Sequence, residues 1–521
     1  MLKNKKIDFA SLCSRYDVIP QKIKNISNTL IILYASFTLL YQIVWLIAPL
    51  RAFMYARGLD RISSLLAVAG IVIVLWDVLF ERVVWKNKYV KYVLPVICVL
   101  ALSSLVNFRY GIVANVKVMI WQLVQMLVFF SLSYRIKKEL HLTYLRIIHT
   151  EFSVIYVPCV AVSVYYYFFN VGYYVGYVNG TYHRQGLMDG RNFGVFASIY
   201  FVSLLLLVAT IITVYLGVKT RNILLRAVYF SEAALFFVYL VSSGTRSIQI
   251  GLYCSLFVFS FVMLKSSGLL SKLMSRTVLK NMTSVALSVV CVLGAVLVYG
   301  AVEKTIHKIP VYIYNNYGSV GGFEDDGDVD VDIIDPDHMG DELDDDSRLP
   351  IQVDRNDVDS SNISNHRFTI WTEYLKLVFG DVKAALIGFG PGSYMNAIKE
   401  QRPDSFLVEY IRDNYPSMYS DGLIYDTHNC YLSVVVTTGI LGVAALVLFF
   451  AFCIKKVFAY FFLRDAKPSA TVLCLVMVVI AIMSAAFFDS DLFYKCTDTS
   501  LIFWTVSGFL IRKLDTDAVE Q

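Results

Sequence analysis

His428 draws notice by its place. The stretch "YDTHNCYLSVVVTTGILG", residues 425–442, sets a His-Asn pair directly before a long apolar run. Imidazole titrates near neutrality, so it can take a proton from a hydroxyl at ordinary pH. Four cations hold comparable positions. Lys117 lies inside an apolar run, Arg191 opens another, Arg246 sits in the tight turn "SSGTRS", and Arg367 begins an amphipathic stretch. Arginine offers a planar fork of donors and keeps its charge when desolvated, which suits a phosphate. One arginine at a helix end would serve a lipid headgroup equally well. Several in short polar turns beside glycines point to a specific anionic ligand. Asp77, Glu151 and Glu232 also fall near the ends of apolar runs and read as structural, because a carboxylate can reach the interface there.

These groups need elements to hold them. The chain has 521 residues, 57% hydrophobic and 17% charged, where soluble domains carry about 25% charged residues. Apolar segments close to the roughly 20 residues that cross a bilayer recur from end to end. They are Ile26–Leu50, Ile62–Leu79, Tyr92–Phe108, Gly111–Leu132, Ile147–Phe169, Gly194–Leu216, Ala227–Val241, Ile248–Leu264, Met282–Val302, Tyr431–Cys453, Ala470–Phe488 and Ser500–Ile511. The expectation is an all-α polytopic membrane protein of about twelve transmembrane helices. With the N-terminus inside, the inner segments hold 27 Lys and Arg and the short outer loops hold 8, as the positive-inside rule requires. Both termini, 1–25 and 512–521, are then cytoplasmic in a cell membrane. Helices one to nine occupy 26–302, and helices ten to twelve occupy 431–511. The net charge of +5 is a topology signal and not a sign of nucleic acid. The nine cysteines form no disulfide framework or zinc pattern. Cys430 and Cys496 alone lie near the outer surface and could bridge.

Two outer segments are distinctive. The loop 303–430 divides by composition. Glu324–Asp359 holds sixteen Asp or Glu in thirty-six residues, a composition that cannot bury a core and reads as a disordered tether. "DGDVDVDIIDPD" within it resembles a calcium loop but lacks the sixth-position glycine and the distal glutamate of an EF-hand. From 364 to 430 the pattern changes. "RFTIWTEYLKLVFGD" has helical spacing, "GFGPGSY" is a glycine turn, and "PDSFLVEYIRDNYP" is a second short amphipathic helix. This is a small helical cap. The other segment, Tyr165–Gly194, is dense in tyrosine and ends in His183, Arg184, Asp189, Arg191 and Asn192. Tyrosines suit the bilayer interface and could also stack on sugar rings.

"SGTRS" (243–247), "RFTIWTEYLKLV" with "IGFGPGSY" (367–394), "THNCYLSVVVTTGILG" (427–442) and "RQGLMDGRNFG" (184–194) together resemble the O-antigen ligase and polymerase superfamily. His428 and Gly439 have the His-x10-Gly spacing of those proteins. The resemblance implies a GT-C-like helical membrane glycosyltransferase with an extracytoplasmic cap. It implies metal-independent transfer, without a cofactor, from an oligosaccharide on undecaprenyl diphosphate to a growing glycan or other acceptor. It further implies that Arg191 and Arg246 bind the diphosphate and that His428 acts on the acceptor hydroxyl. Lys117, Arg184, Arg367, Asn192, Gly390, Gly392, Tyr394 and Asn429 complete the expected substrate-binding set. The acidic tether departs from the family.

The chemistry agrees with these residue types. Cleaving an anomeric carbon–diphosphate bond builds negative charge on the leaving oxygen, which preorganised cations stabilise. The poor nucleophile needs a base. Asn429 could equally cap its helix, and the glycine turn lacks the Lys-Ser/Thr of a phosphate loop. Three readings remain open: a polymerase of surface polysaccharide repeat units working beside a flippase and a chain-length regulator, a ligase, and a transporter. The last would favour charges at mid-membrane and inverted repeats.

Overall fold

The structure is a computed structural model that describes residues 21–178, 181–188, 190–267, 277–317, 367–414, 416–420, 422–462 and 468–517. The acidic tether and Asp189 lie outside the described residues. Apolar sequence in lipid must satisfy its backbone polar groups internally, and the chain does so almost throughout as helix. The protein is an all-α polytopic membrane protein. Among the described residues, ten helices are long and apolar enough to cross a bilayer. Val90–Val106 is a shorter apolar helix.

In chain order the helices used below are α1 (Gln21–Trp45), α2 (Ala48–Ala56), α3 (Ile62–Trp76), α4 (Val93–Val106), α5 (Ile112–Val124), α6 (His141–Phe168), α7 (Ile199–Lys219), α8 (Ile223–Ser242), α9 (Arg246–Lys265) and α10 (Thr277–Tyr317). After the tether come five cap helices, α11 (Arg367–Phe379), α12 (Val382–Ile387), α13 (Tyr394–Gln401), α14 (Phe406–Asn414) and α15 (Pro416–Ser420). The chain then returns as α16 (Cys430–Phe462), α17 (Ala470–Ala485) and α18 (Asp498–Asp517).

The structure corrects the bounds of two spans and the reading of the tyrosine-rich segment. The first span ends at Trp45, not Leu50. Pro49 has no N–H to continue the ladder, and residues 46–48 instead pair with 195–197 (Ala48 N to Val195 O 2.9 Å, Ala197 N to Leu46 O 2.7 Å). The sixth span does not begin at Gly194. It begins at Ile199, where the Ser198 side chain accepts from Phe201 N. The tyrosine-rich segment before it is a three-stranded antiparallel sheet: β1 (Gly172–Val178), β2 (Thr181–Met188) and β3 (Arg191–Gly194), in the order β1-β2-β3. Cys430 and Cys496 are both free thiols.

The bundle has two distinct ends. At one, Asp515 pairs with Lys88 at 2.8 Å and Lys456 at 3.2 Å, and buried Arg135 pairs with Asp77 at 2.7 Å and Glu81 at 2.6 Å. Asp77, one of the acids near span ends, is thereby paired, and Arg135 also donates to Asn28. The sheet and the cap occupy the opposite end. A large core that includes Trp504, Phe130 and Phe449 fills the bundle. A second cluster, with Ile370, Tyr374, Val378, Leu407 and Val436, joins the cap to α16.

That junction depends on two glycines. Gly388 (φ 70, ψ −169) and Gly439 (φ 65, ψ −165) occupy a region nearly closed to other residues. Gly439 breaks α16. The carbonyls of Val436 and Thr437 accept from Phe389 N at 2.9 Å and Gly390 N at 3.1 Å. A Cβ on Gly439 would lie 2.4 Å from the Leu386 backbone, and one on Gly388 would lie 2.3 Å from that of Thr437.

Candidate functional site

The site is built where the cap chain enters α16. Asn429 Oδ1 accepts from the N–H groups of Tyr431 and Leu432, both at 3.0 Å. It therefore satisfies donors that the first turn leaves open. His428, immediately before it, has φ 44, uncommon for a residue with a side chain. Neighbours on both sides hold this turn. Trp371 Nε1 donates to Thr427 O at 2.9 Å, and the Tyr374 hydroxyl donates to Tyr425 O.

Asp426 is the hub. Its Oδ1 accepts from the Tyr394 hydroxyl at 3.0 Å and from Thr427 N at 2.7 Å. Its Oδ2 accepts from Ser490 Oγ at 2.6 Å and Lys495 Nζ at 2.9 Å. Lys495 also pairs with Asp491 at 3.2 Å. The turn between α17 and α18, residues 489–498, thus clamps the turn that carries His428.

The charges set one another. Burial alone would push the Asp426 carboxyl up. The Lys495 ammonium, then His428 and the donors on Ser490 and Lys495, outweigh it and hold Asp426 below the usual carboxylate range. Burial would lower the Lys495 ammonium, but Asp426 and Asp491 outweigh that and raise it. Asp489 is pushed well up, first by burial and then by Asp491 beside it. The His428 imidazole is pushed down, chiefly by burial, and further by Arg367 and Lys495; Asp426 and Asp491 pull the other way. Among the described residues no hydrogen bond engages its ring. The imidazole is thus biased toward its neutral form among fixed charges.

Arg367 and Arg246 belong to the same neighbourhood. Burial lowers the Arg367 guanidinium, Asp489 and Tyr200 oppose that shift, and Arg246 adds to it. Arg367 in turn acts on His428. Arg246 is exposed at the start of α9. Asn192 Nδ2 donates to Ser242 Oγ at 2.9 Å, which ties β3 to the turn before Arg246.

The other expected residues are placed less directly. Arg191 is partly exposed at the start of β3 and pairs in register with Met188. Arg184 pairs through its backbone with Tyr174, and its side chain is outside the described set. Lys117 is exposed on α5, and its charge acts on Cys496, next to Lys495. Gly390 and Gly392 serve packing. Gly390 donates to Thr437 O, and Gly392 N donates to Asn115 Oδ1 at 2.8 Å. Tyr394 reaches the site through Asp426.

The sequence reading missed Asp426, Asp489, Ser490, Asp491 and Lys495. A signal existed. "DSDLFYKCTD", residues 489–498, concentrates charge between two apolar runs. Cations point to an anion site by type, whereas the carboxylates that orient them do not. Among the described residues, no group of three His, Cys, Asp or Glu side chains is arranged to hold a metal ion.

A capped end that gathers Arg246, Arg367 and His428 can offer cations to an anion and an imidazole to a proton. Residues 232–447 match the family model described as O-antigen ligase. The match spans less than half of the sequence and agrees with the superfamily resemblance of the motifs. No curated protein and no solved structure matches the chain. The matched segment contains Arg246, Arg367 and His428; Arg191 precedes it, and the 489–498 turn follows it.

Proposed function

We propose that this protein polymerises oligosaccharide repeat units carried on a polyprenyl diphosphate into a cell-surface polysaccharide. The cap and sheet face outward and both termini face the cytoplasm. One observation carries the reading: Arg246 and Arg367 share a neighbourhood with His428, whose imidazole is biased toward its neutral form. Arg246 and Arg367 grip the diphosphate, with Arg191 and Asn192 next in reach across the Ser242 turn. His428 takes the proton of the acceptor hydroxyl as that oxygen attacks the anomeric carbon. The bond from that carbon to the diphosphate oxygen breaks, and its electron pair leaves with the diphosphate, where the arginines meet the added charge. Asp426 faces the imidazolium that forms, so Lys495 and Ser490 act by fixing Asp426.

The family description favours a second reading, in which a finished glycan moves to a different acceptor. The two separate in one experiment. Purified protein in nanodiscs receives lipid-linked repeat units alone. A ladder of products identifies a polymerase. No ladder, but a single transfer once a lipid, protein or wall acceptor is added, identifies a ligase. No transfer under either condition overturns both.

A further inference from the structure

The cap helix α14 carries two aromatic rings on its outward face. Leu407, Val408 and Ile411 are buried in the cap. Phe406, Glu409, Tyr410 and Asp413 fall at the i, i+3, i+4 and i+7 positions of the other face. From that face the rings continue to the site. Ring centroids lie 5.6 Å apart for Phe406 and Tyr410, 5.2 Å for Tyr410 and Tyr425, and 6.2 Å for Tyr425 and His428. Phe406 is 38% exposed, and Tyr410, Tyr425 and His428 are half-buried. The Tyr374 hydroxyl donates to Tyr425 O, which fixes the inner end of the row.

Chemistry decides the occupant. Charge flanks the row: Glu409, Arg412 and Asp413 are exposed, with Arg412 at 3.7 Å from Glu409 and 3.0 Å from Asp413. The core of a protein interface is depleted of such charges, and carboxylates are poorly placed in lipid. A pyranose ring offers a C–H face that can lie on an aromatic ring. Its rim of hydroxyls can donate to carboxylates and accept from a guanidinium. Successive planes in the row turn by 44°, 52° and 72°. A glycan turns at every linkage and can follow such a row, ring by ring.

We propose that the row Phe406–Tyr410–Tyr425 is the acceptor subsite. Sugar rings of the acceptor glycan stack along it, and the ring beyond Tyr425 presents its hydroxyl to His428. The inference rests on the function proposed above and adds where the acceptor is read.

The test uses the full-length protein in nanodiscs and lipid-free glycan fragments released from the surface polysaccharide of the producing cells. Binding is followed by saturation-transfer NMR, and transfer by adding a lipid-linked donor. Phe406→Ala and Tyr410→Ala should each weaken binding of the longer fragments by at least about tenfold, a change worth about 1.4 kcal/mol. Phe406→Ala should leave a monosaccharide unaffected, because the outer ring is reached only by a longer chain. Tyr410→Phe keeps the ring and should keep the affinity. Phe379→Ala, at an exposed position of α11, should change nothing. In transfer, the two alanine variants should raise KM for the fragment and leave KM for the donor unchanged. Wild-type fragment affinity in both alanine variants, or an equal rise in both KM values, overturns the proposal. Wild-type affinity with impaired incorporation into nanodiscs would assign the row to the bilayer interface and overturn it too. Binding needs no turnover. Ring-dependent binding without glycan transfer would therefore retain the subsite and refute the activity, and transfer with an unmoved fragment KM would do the reverse.

Discussion

At the scale of single residues, His428 and the charges around it make signed predictions. A general base contributes about 10²–10⁴ in rate, so His428→Ala should lower kcat by about that factor while the protein still inserts in the membrane. Near-normal turnover by the inserted variant would remove the assigned role. Burial and Arg367 hold the imidazole below its ordinary value of 6.5. A base works when deprotonated, so activity should persist through neutrality and fall only at a pH below that value. Arg367→Gln removes a neighbour that lowers the imidazole, so the acid limb should move to higher pH. Asp426→Asn removes one that raises it, so the limb should move to lower pH. The check is kcat against pH for the three proteins; limbs that do not move in opposite directions contradict the electrostatic arrangement. Arg246→Lys keeps the charge and loses the fork. Activity should fall by about tenfold or more, an interaction worth about 1.4 kcal/mol, and an unchanged rate would mean that a point charge suffices.

At the scale of elements, the contact between α12 and the break in α16 is the least forgiving. Gly439→Ala would drive a methyl into the Leu386 backbone at 2.4 Å and place a side chain in a backbone region that costs about 1–3 kcal/mol. Overpacking adds about 1–3 kcal/mol. The yield of folded protein in detergent, followed by its thermal midpoint, should drop sharply; a midpoint equal to that of the wild type would show that the junction can relax. The same geometry accounts for the interval between His428 and Gly439. Eleven residues at about 1.5 Å each put the break about 16 Å below the imidazole, where the cap turn 388–390 inserts. The helices were legible because an apolar run in lipid has few alternatives to helix. The sheet was not recognised, although Val, Tyr and an Asn179-Gly180 pair between two runs are the ingredients of a hairpin. The wealth of tyrosine read as an interfacial belt instead. The arginines and the histidine were legible as types. Their carboxylate partners were not, because the contact between Asp426 and Lys495 joins residues 69 positions apart and periodicity carries no trace of it.

At the scale of the molecule, the cations proposed to meet the leaving charge are side chains. Turnover with lipid-linked donor should therefore persist in excess EDTA; loss that a divalent ion restores would refute that assignment. The turn that carries Lys495 has a consequence for how the protein comes into being. The His428 segment is held by a hairpin that the ribosome delivers after it, so the machinery stays unfinished while the earlier helices are already in the bilayer. Separate expression of residues 1–462 should yield an inserted but silent protein, and co-expression of 463–521 should restore polymer in the same cells. Activity from the first fragment alone would contradict this. A site whose His428 turn is clamped by residues 489–498 takes its shape only after that later turn has been made.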